Sequence, residues 1–303
     1  MILNTGRVRD QWHTMTRTGQ SPRLAEHTAE PYAELHPADA VNYGIADQGL
    51  IKVFSRWGEI TVKARVSDTQ QQGMVFVPMH WNDQFASQAR VGAVVNPEVD
   101  PVSGQPELKH TPVRIQAYKP LWQGFLLSHR RVTLHHAGYW VRATGAGFYR
   151  YELAGDQAPA DWAAWARSIL CNAEADVNWV EYLDMAGLSY RGIRLVGERL
   201  ESCIFIAPDH ALPPRNWLAG LFEKNRLDPD ERRSLLIGKP ASGQEDTGRI
   251  ICSCFGVGEN TLCKAIQSQG LKTPEDIGRQ LKAGTNCGSC IPELKALIAA
   301  VRQ

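Results

Sequence analysis

A chain of 303 residues with 43% hydrophobic content and a formal net charge of +1 has room for more than one folded unit and the composition of an ordinary globular protein. Charge this close to zero gives no electrostatic argument for nucleic acid or an anionic membrane, and no apolar run reaches the roughly twenty residues needed to cross a bilayer. The N-terminus, Met1-Ile2-Leu3-Asn4-Thr5-Gly6-Arg7, lacks the apolar core and cleavage site of a signal peptide, so the seven cysteines are expected to stay reduced, in the cytoplasm.

Along the first 120 residues the strand signals are short and close together. His36-Pro37 opens a predicted helix ending near Gly44. Residues 50–55 and 60–66 read as a hairpin across Arg56-Trp57-Gly58-Glu59. In the second of these runs Ile60, Val62, Ala64 and Val66 alternate with Thr61, Lys63 and Arg65, the pattern of a half-buried strand. Residues 74–78 and 113–118 are further predicted strands. Many short strands with few helices point to a β-barrel over a parallel α/β sheet.

The stretch 121–248 is less legible and reads as a small α+β connector. Residues 162–170 predict a helix capped by Asp161, and 188–196 with 200–207 predict two strands joined at Gly197-Glu198-Arg199. From Tyr190-Arg191-Gly192 to Phe205-Ile206-Ala207-Pro208 it faintly resembles the C-terminal interface domain of flavin-linked reductases, but no dinucleotide fingerprint precedes it, so no flavin site is expected. His135 and His136 are adjacent and would point to opposite faces of a strand, which favours surface or packing roles over a metal site. Pro213-Pro214 marks a loop. Residues 238–248, rich in glycine, serine and acidic side chains, read as a mobile linker that a protease should cut first.

The last part holds the densest chemistry: Cys252-x-Cys254, then thirty-two residues, then Cys287-x-x-Cys290. Two close thiol pairs in a non-exported chain point to a metal or cluster site. Structural zinc usually draws its ligands from Cys-x₂₋₄-Cys knuckles, and a Cys-x-Cys pair is tighter than that. The spacing favours a [2Fe–2S] unit with one pair on each iron, over zinc, a disulfide or free thiols. Gly256, Gly258 and Gly288 let the backbone approach sulfur. Helices are predicted over 259–269, stopped by Gly270; from Pro274 with Thr273 as N-cap, stopped at Gly284; and from Pro292 through Leu294, Leu297, Ile298 and Val301. Cys290 would then precede a helix N-terminus, where negative charge is favoured. Cys171, Cys203 and Cys263 have no paired partner in the sequence and are expected to be buried apolar thiols.

Two resemblances organise these observations. Residues 250–299, with Ile251-Cys252-Ser253-Cys254-Phe255-Gly256-Val257 and Asn286-Cys287-Gly288-Ser289-Cys290, resemble the [2Fe–2S] domain of bacterioferritin-associated ferredoxin. Residues 3–14 (Leu-Asn-Thr-Gly-Arg-Val-Arg-Asp-Gln-Trp-His-Thr) resemble the start of the dinucleotide-binding domain of molybdopterin oxidoreductases, in the nitrate reductase branch. Four segments follow in that family's order: Glu34-Leu35-His36-Pro37-Ala38-Asp39-Ala40, Ser55-Arg56-Trp57-Gly58-Glu59, Phe76-Val77-Pro78-Met79-His80-Trp81, and Asp100-Pro101-Val102-Ser103-Gly104-Gln105-Pro106-Glu107-Leu108-Lys109. This resemblance implies a double-psi β-barrel over 1–120 that clamps one of two molybdopterin guanine dinucleotides, a connector and linker over 121–248, and a helical [2Fe–2S] domain over 249–303: a multidomain α+β chain.

For the dinucleotide, Thr5 and Gly6 would offer backbone and hydroxyl donors, Arg7 a planar fork, Trp12, His13 and Thr14 stacking and hydrogen bonding, and Lys109 a point charge. Taken alone, Thr5-Gly6-Arg7 reads as a turn and Trp12 as a core aromatic. The sequence departs from the family where Gly92 stands in place of a cofactor-contacting asparagine, after a short insertion at 82–90, and where Met79 replaces a funnel aromatic.

The resemblance as a whole implies the C-terminal portion of a cytoplasmic assimilatory nitrate reductase. The reaction would be two-electron reduction of nitrate to nitrite by oxygen-atom transfer to molybdenum(IV). Cys252, Cys254, Cys287 and Cys290 would hold a relay fed by an external donor, a flavoprotein or ferredoxin. The family's molybdenum-ligating cysteine and a [4Fe–4S] site belong to an upstream catalytic region. The chain starts four residues before a cofactor motif, so it reads as a truncated or split piece; it carries no catalytic residue of its own and is expected to be inactive alone. Rival readings are a separately encoded electron-transfer subunit and a part of another molybdenum or tungsten oxidoreductase, such as a formate dehydrogenase.

Overall fold

The structure of the chain, a computed structural model, describes residues 1–134, 137–171, 177–208, 212–240 and 247–301. His135, His136 and the centre of the expected linker, 241–246, lie outside the described residues. The fold is mixed α+β, with two large sheets and a cysteine-rich C-terminal segment.

The first sheet is built from β1 (Ile2–Gly6), β2 (Tyr32–Leu35), β3 (Leu50–Phe54), β4 (Glu59–Val66), β5 (Met74–Pro78), β6 (Thr111–Pro112) and β7 (Arg114–Tyr118), in the order β6-β1-β5-β2-β4-β3-β7. The pairs β1–β5 and β2–β4 are parallel and the others antiparallel. Helices α1 (Pro22–Ala25) and α2 (Pro37–Asn42) lie between its strands; His36 caps α2, its Nδ1 accepting from the Ala38 amide at 3.1 Å. In β4 the alternation holds for Ile60, Val62 and Ala64, but Thr61 is also buried and Val66 is half-buried. Segment 82–95 covers the second face there: the Thr61 amide donates to the Gln88 carbonyl at 2.8 Å and its hydroxyl to Gln88 Oε1 at 3.2 Å. Gly58 meets the same segment so closely that a Cβ would stand 2.6 Å from the Ala93 carbonyl oxygen, which explains glycine in that hairpin.

The middle of the chain is larger than the expected connector. A six-stranded antiparallel sheet runs through β8 (Trp122–Ser128), β9 (Tyr139–Thr144), β10 (Tyr149–Gly155), β11 (Asn178–Asp184), β12 (Ser189–Val196) and β13 (Arg199–Ala207), in the order β11-β12-β13-β8-β10-β9. Helix α3 (Trp162–Leu170), capped by the Asp161 carboxylate at 2.9 Å from the Ala164 amide, covers one face, where Trp162 and Trp165 pack edge-on to Trp122 at 5.2 and 5.7 Å. Helices α4 (Arg215–Phe222) and α5 (Pro229–Ile237) cover the other, over Phe125 stacked on Phe205 at 5.3 Å. With both faces covered, β8 and β13 are buried along nearly their whole length.

The insertion at 82–90 joins the two sheets. Ala86 bridges Val141, Phe85 accepts from the Arg142 amide at 2.7 Å, and Trp140 accepts from the Ser87 amide at 2.9 Å. Beside this joint, Lys63 and Glu30 of the first sheet's region meet at 2.6 Å, and Arg150 and Glu152 on β10 at 2.6 Å. Burial opposes ionisation of Glu152, but Arg150 and then Arg215 outweigh it and hold the carboxyl well below the usual carboxylate range.

The C-terminal segment folds as the hairpin β14 (Ile250–Cys252) and β15 (Val257–Gly258) followed by α6 (Glu259–Gln269), α7 (Pro274–Leu281) and α8 (Ile291–Val301). Thr273 and Asp276 form a reciprocal capping box at the start of α7. That helix ends earlier than expected, because Lys282 adopts a left-handed φ of 62° and its amide closes on the Gly278 carbonyl at 3.0 Å. Its core, from Ile251 to Ile298, shares no buried residue with the clusters under the two sheets. Cys171 and Cys203 are buried as expected; Cys263 is half-buried instead, since α6 turns Leu262, Ala265 and Ile266 inward. Burial pushes the Cys203 thiol up to about 12. Among the described residues no helix is long and apolar enough to cross a membrane.

Candidate functional site

The predicted residues form two separate groups. The first surrounds the end of β1. Thr5 is buried, its hydroxyl donating to the Leu108 carbonyl at 3.0 Å, while Lys109 Nζ donates to the Thr5 carbonyl. Gly6 sits where a Cβ would stand 3.0 Å from the Phe76 ring and 3.8 Å from Lys109 Nζ. Residues far apart in sequence, Thr5, Gly6 and Lys109, are thus in contact. Arg7 lies over Trp12, its guanidinium carbon 4.8 Å from the ring centroid, and Trp12 meets His13 edge-on at 4.5 Å. Trp12 is 58% exposed, so it is not a core aromatic. Thr14 follows, its hydroxyl 3.0 Å from that of Thr16.

His80, part of the 76–81 segment, fixes this loop. His80 is fully buried; its Nε2 accepts from the Val8 amide at 2.9 Å, leaving Nδ1–H to donate to the His13 carbonyl at 2.6 Å. Burial, ahead of its other interactions, pulls the His80 imidazole down from its ordinary value and keeps it neutral, as this pair of bonds requires. Asn82 adds a bond from its side-chain amide to the Thr14 carbonyl at 3.2 Å. A lone histidine in an apolar stretch gave no signal of this role. Met79 is half-buried against the first core, and a Cβ at Gly92 would meet open space.

The second group is the four cysteines. Cys252 ends β14 and Cys254 sits in the turn behind it, which Gly256 closes with φ 63°. Cys287 and Cys290 lie between α7 and α8, with Gly288 at φ 73° and Cys290 immediately before the first residue of α8. The structure pairs the thiols across the two motifs and not within each motif as the spacing suggested: the Cys254 and Cys287 sulfurs are 3.4 Å apart, and the Cys290 thiol bonds to that of Cys252. Cys252 and Cys290 are buried, Cys254 half-buried and Cys287 exposed, so the site is open on one side. The Ser289 hydroxyl, 3.1 Å from Sγ, followed by the Ser289 amide and Cys254, lowers Cys287 to about 7. Burial, then Cys252, raises Cys290 to about 11. Among the described residues no three His, Cys, Asp or Glu side chains close on a single ion. Four soft donors standing as two pairs fit a two-iron unit.

Residues 1–112 match the family described as "Molydopterin dinucleotide binding domain", and residues 250–300 match "BFD-like [2Fe-2S] binding domain". A nitrate reductase of Klebsiella oxytoca is 42% identical over 306 aligned residues, covering 99% of this chain and 34% of that protein. The assimilatory nitrate reductase catalytic subunit of Bacillus subtilis is 36% identical over 115 residues (38% of this chain, 16% of that protein). An F420-dependent formate dehydrogenase alpha subunit of Methanocaldococcus jannaschii is 38% identical over 115 residues, with the same coverage of each chain. Among solved structures, acetylene hydratase from Pelobacter acetylenicus aligns with a TM-score of 0.34 at 18% identity, over 39% of this chain and 18% of that one. The chain spans about a third of the Klebsiella relative and less of the other two. Residues 1–112 are thus similar to the molydopterin dinucleotide binding family and residues 250–300 to the BFD-like [2Fe-2S] family, in a chain similar along its whole length to about a third of a nitrate reductase.

Proposed function

We propose that this chain is the dinucleotide-binding and electron-relay portion of a molybdenum-dependent, cytoplasmic assimilatory nitrate reductase. The observation that carries the proposal is similarity to a nitrate reductase over 99% of the chain, both sheets and the cysteine segment included. In this reading residues 1–120 form a double-psi barrel, 121–248 the connector and linker, and 249–303 the cluster domain. The parallel pairings β1–β5 and β2–β4 within an otherwise antiparallel sheet support the barrel.

The molybdenum dinucleotide would supply the metal that accepts the oxygen atom of nitrate, and the [2Fe–2S] unit would supply single electrons. The chain's own residues hold and orient. Gly6 and Lys109 stand at the end of β1, where Thr5, its hydroxyl spent on the Leu108 carbonyl, fixes the backbone; Arg7, Trp12, His13 and Thr14 offer a cation, a stacking face and hydrogen-bonding groups on a loop that His80 locks. Cys252, Cys254, Cys287 and Cys290 hold the cluster with Cys287 toward solvent, where a flavoprotein or ferredoxin donor would approach. The partners are that donor, nitrate and the catalytic portion that carries the molybdenum ligand.

A part of a formate dehydrogenase is the second reading, favoured by the 38% identity of the first third of the chain to the Methanocaldococcus subunit. Co-expression with an upstream catalytic portion of the nitrate reductase type, followed by dye-linked assays with nitrate and with formate, separates the two. Nitrate-dependent dye oxidation that Cys254→Ser abolishes for a protein donor supports the proposal; formate-dependent dye reduction without nitrate turnover overturns it.

A further inference from the structure

Among the described residues the cysteine segment shares no hydrophobic core with the rest of the protein, yet polar contacts hold it in a defined place. Arg9, in the loop after β1, donates from Nη1 to the Ser289 carbonyl at 2.8 Å and to Glu293 Oε1 on α8 at 3.0 Å. His27 lies with Nε2 2.8 Å from the Ser253 hydroxyl and 3.0 Å from the Ile251 carbonyl, and with Nδ1 2.7 Å from Asp10. Asp10 is adjacent to Arg9 in sequence, so the two arms are one unit.

The landing points are specific. Ile251 and Ser253 flank Cys252, and Ser289 precedes Cys290. Residues near the N-terminus therefore grip the immediate neighbours of both cysteine pairs without touching a thiol. The grip borders a cleft of about 230 Å³ whose walls include Arg7, Tyr32 and Arg65 on one side and Ile251 and Glu293 on the other. Arg7 is one of the proposed dinucleotide contacts, so the cleft separates that group from the cysteine segment.

We infer that Arg9, Asp10 and His27 form a polar latch that docks the cluster-bearing segment against the loop following β1, facing the cleft that Arg7 lines. The inference rests on the proposed reading that the four cysteines hold a cluster. Arg9 and Glu293 are each about a third exposed, at 33% and 37%, so their attraction is modest and screened by salt. A polar, small contact of this kind sets an orientation that a folded unit with its own core can leave and regain. The three side chains are positioning residues: they fix how the relay faces the dinucleotide loop and take no part in ligating either group.

The test uses the whole 303-residue chain. Hydrogen–deuterium exchange over 250–254 and 287–291 is expected to quicken about tenfold in Arg9→Glu, the loss of roughly one charge-assisted hydrogen bond. Exchange over β8 and β13 should stay unchanged, separating undocking from general loosening. The double reversal Arg9→Glu/Glu293→Arg is expected to restore slow exchange in part, since it re-forms the ion pair but not the bond to the Ser289 carbonyl. Unchanged exchange in Arg9→Glu, or exchange in the double reversal no slower than in Arg9→Glu, overturns the latch. Visible cluster absorption is read in the same samples: its presence with unchanged exchange overturns the latch and leaves the cluster reading standing. Its absence from the wild-type chain overturns the cluster reading, while the exchange rates still decide the latch.

Discussion

Arg215 on α4 closes on Glu152 of β10 with two hydrogen bonds, Nη2 to Oε2 at 2.8 Å and Nε to Oε1 at 3.2 Å. Arg150 holds Glu152 Oε1 from the other side at 2.6 Å and reaches toward Glu30, which Lys63 of the first sheet grips at 2.6 Å. This chain of charges ties a helix, the second sheet and the first sheet together across the joint made by residues 82–90.

Removing the buried carboxylate leaves two guanidinium groups facing one another. Glu152→Gln is expected to destabilise the chain by about 3–5 kcal/mol, the cost of an uncompensated buried charge. Urea unfolding monitored by tryptophan fluorescence measures it. A change below about 1 kcal/mol would show that water or a rearranged Glu30 takes over the role.

Acid should weaken the same joint. The Glu152 carboxyl is held below its ordinary 4.5, so its contribution is complete above that pH and is lost as pH falls through the depressed folded value. Stability from neutral pH down to about pH 3 is therefore expected to drop more steeply in the wild type than in Glu152→Gln. Parallel slopes for the two proteins would count against this assignment.

The cysteines make a sharper distinction. Cys254→Ser is expected to lose or destabilise the cluster, since a hydroxyl replaces a soft thiolate in the 3.4 Å pair with Cys287. Cys263→Ser, on the half-buried side of α6, is expected to keep it. Iron and sulfide content after anaerobic expression, with the electron paramagnetic signal of the one-electron-reduced form, decides. Stoichiometric zinc without iron would replace the relay by a structural metal.

His80→Ala should free the loop that carries Trp12. Two part-buried hydrogen bonds, from the Val8 amide to His80 and from His80 to the His13 carbonyl, are lost, each worth about 0.5–1.5 kcal/mol. Thermal unfolding should shift downward, and amide exchange at Val8 and over 12–14 should quicken. Unchanged exchange there would mean that Asn82 alone holds the loop.

Several elements were legible because local chemistry specifies them. Asp161 caps α3 and Thr273 caps α7 as their side chains dictate, and β5 follows its apolar run. The six-stranded sheet was mostly missed for a physical reason. Strands β12 and β13 were read from the sequence, but β8 is buried along nearly its whole length on both faces, and without alternation a covered strand cannot be told from other core. The insertion at 82–90 gave no sign of its joining role because its backbone partners, Trp140 and Arg142, lie far along the chain.

By itself the sequence determined the four-thiol set, the helices around it and the two family segments, since ligand type, spacing and capping are properties of neighbours in the chain. Tertiary structure alone decided that Lys109 reaches the Thr5 carbonyl, that His80 locks the loop between them and Trp12, and that Arg9 and His27 hold the residues beside the cysteines. Those contacts join residues tens to hundreds of positions apart, and single hydrogen bonds of this length leave no periodicity or motif from which their partners can be read.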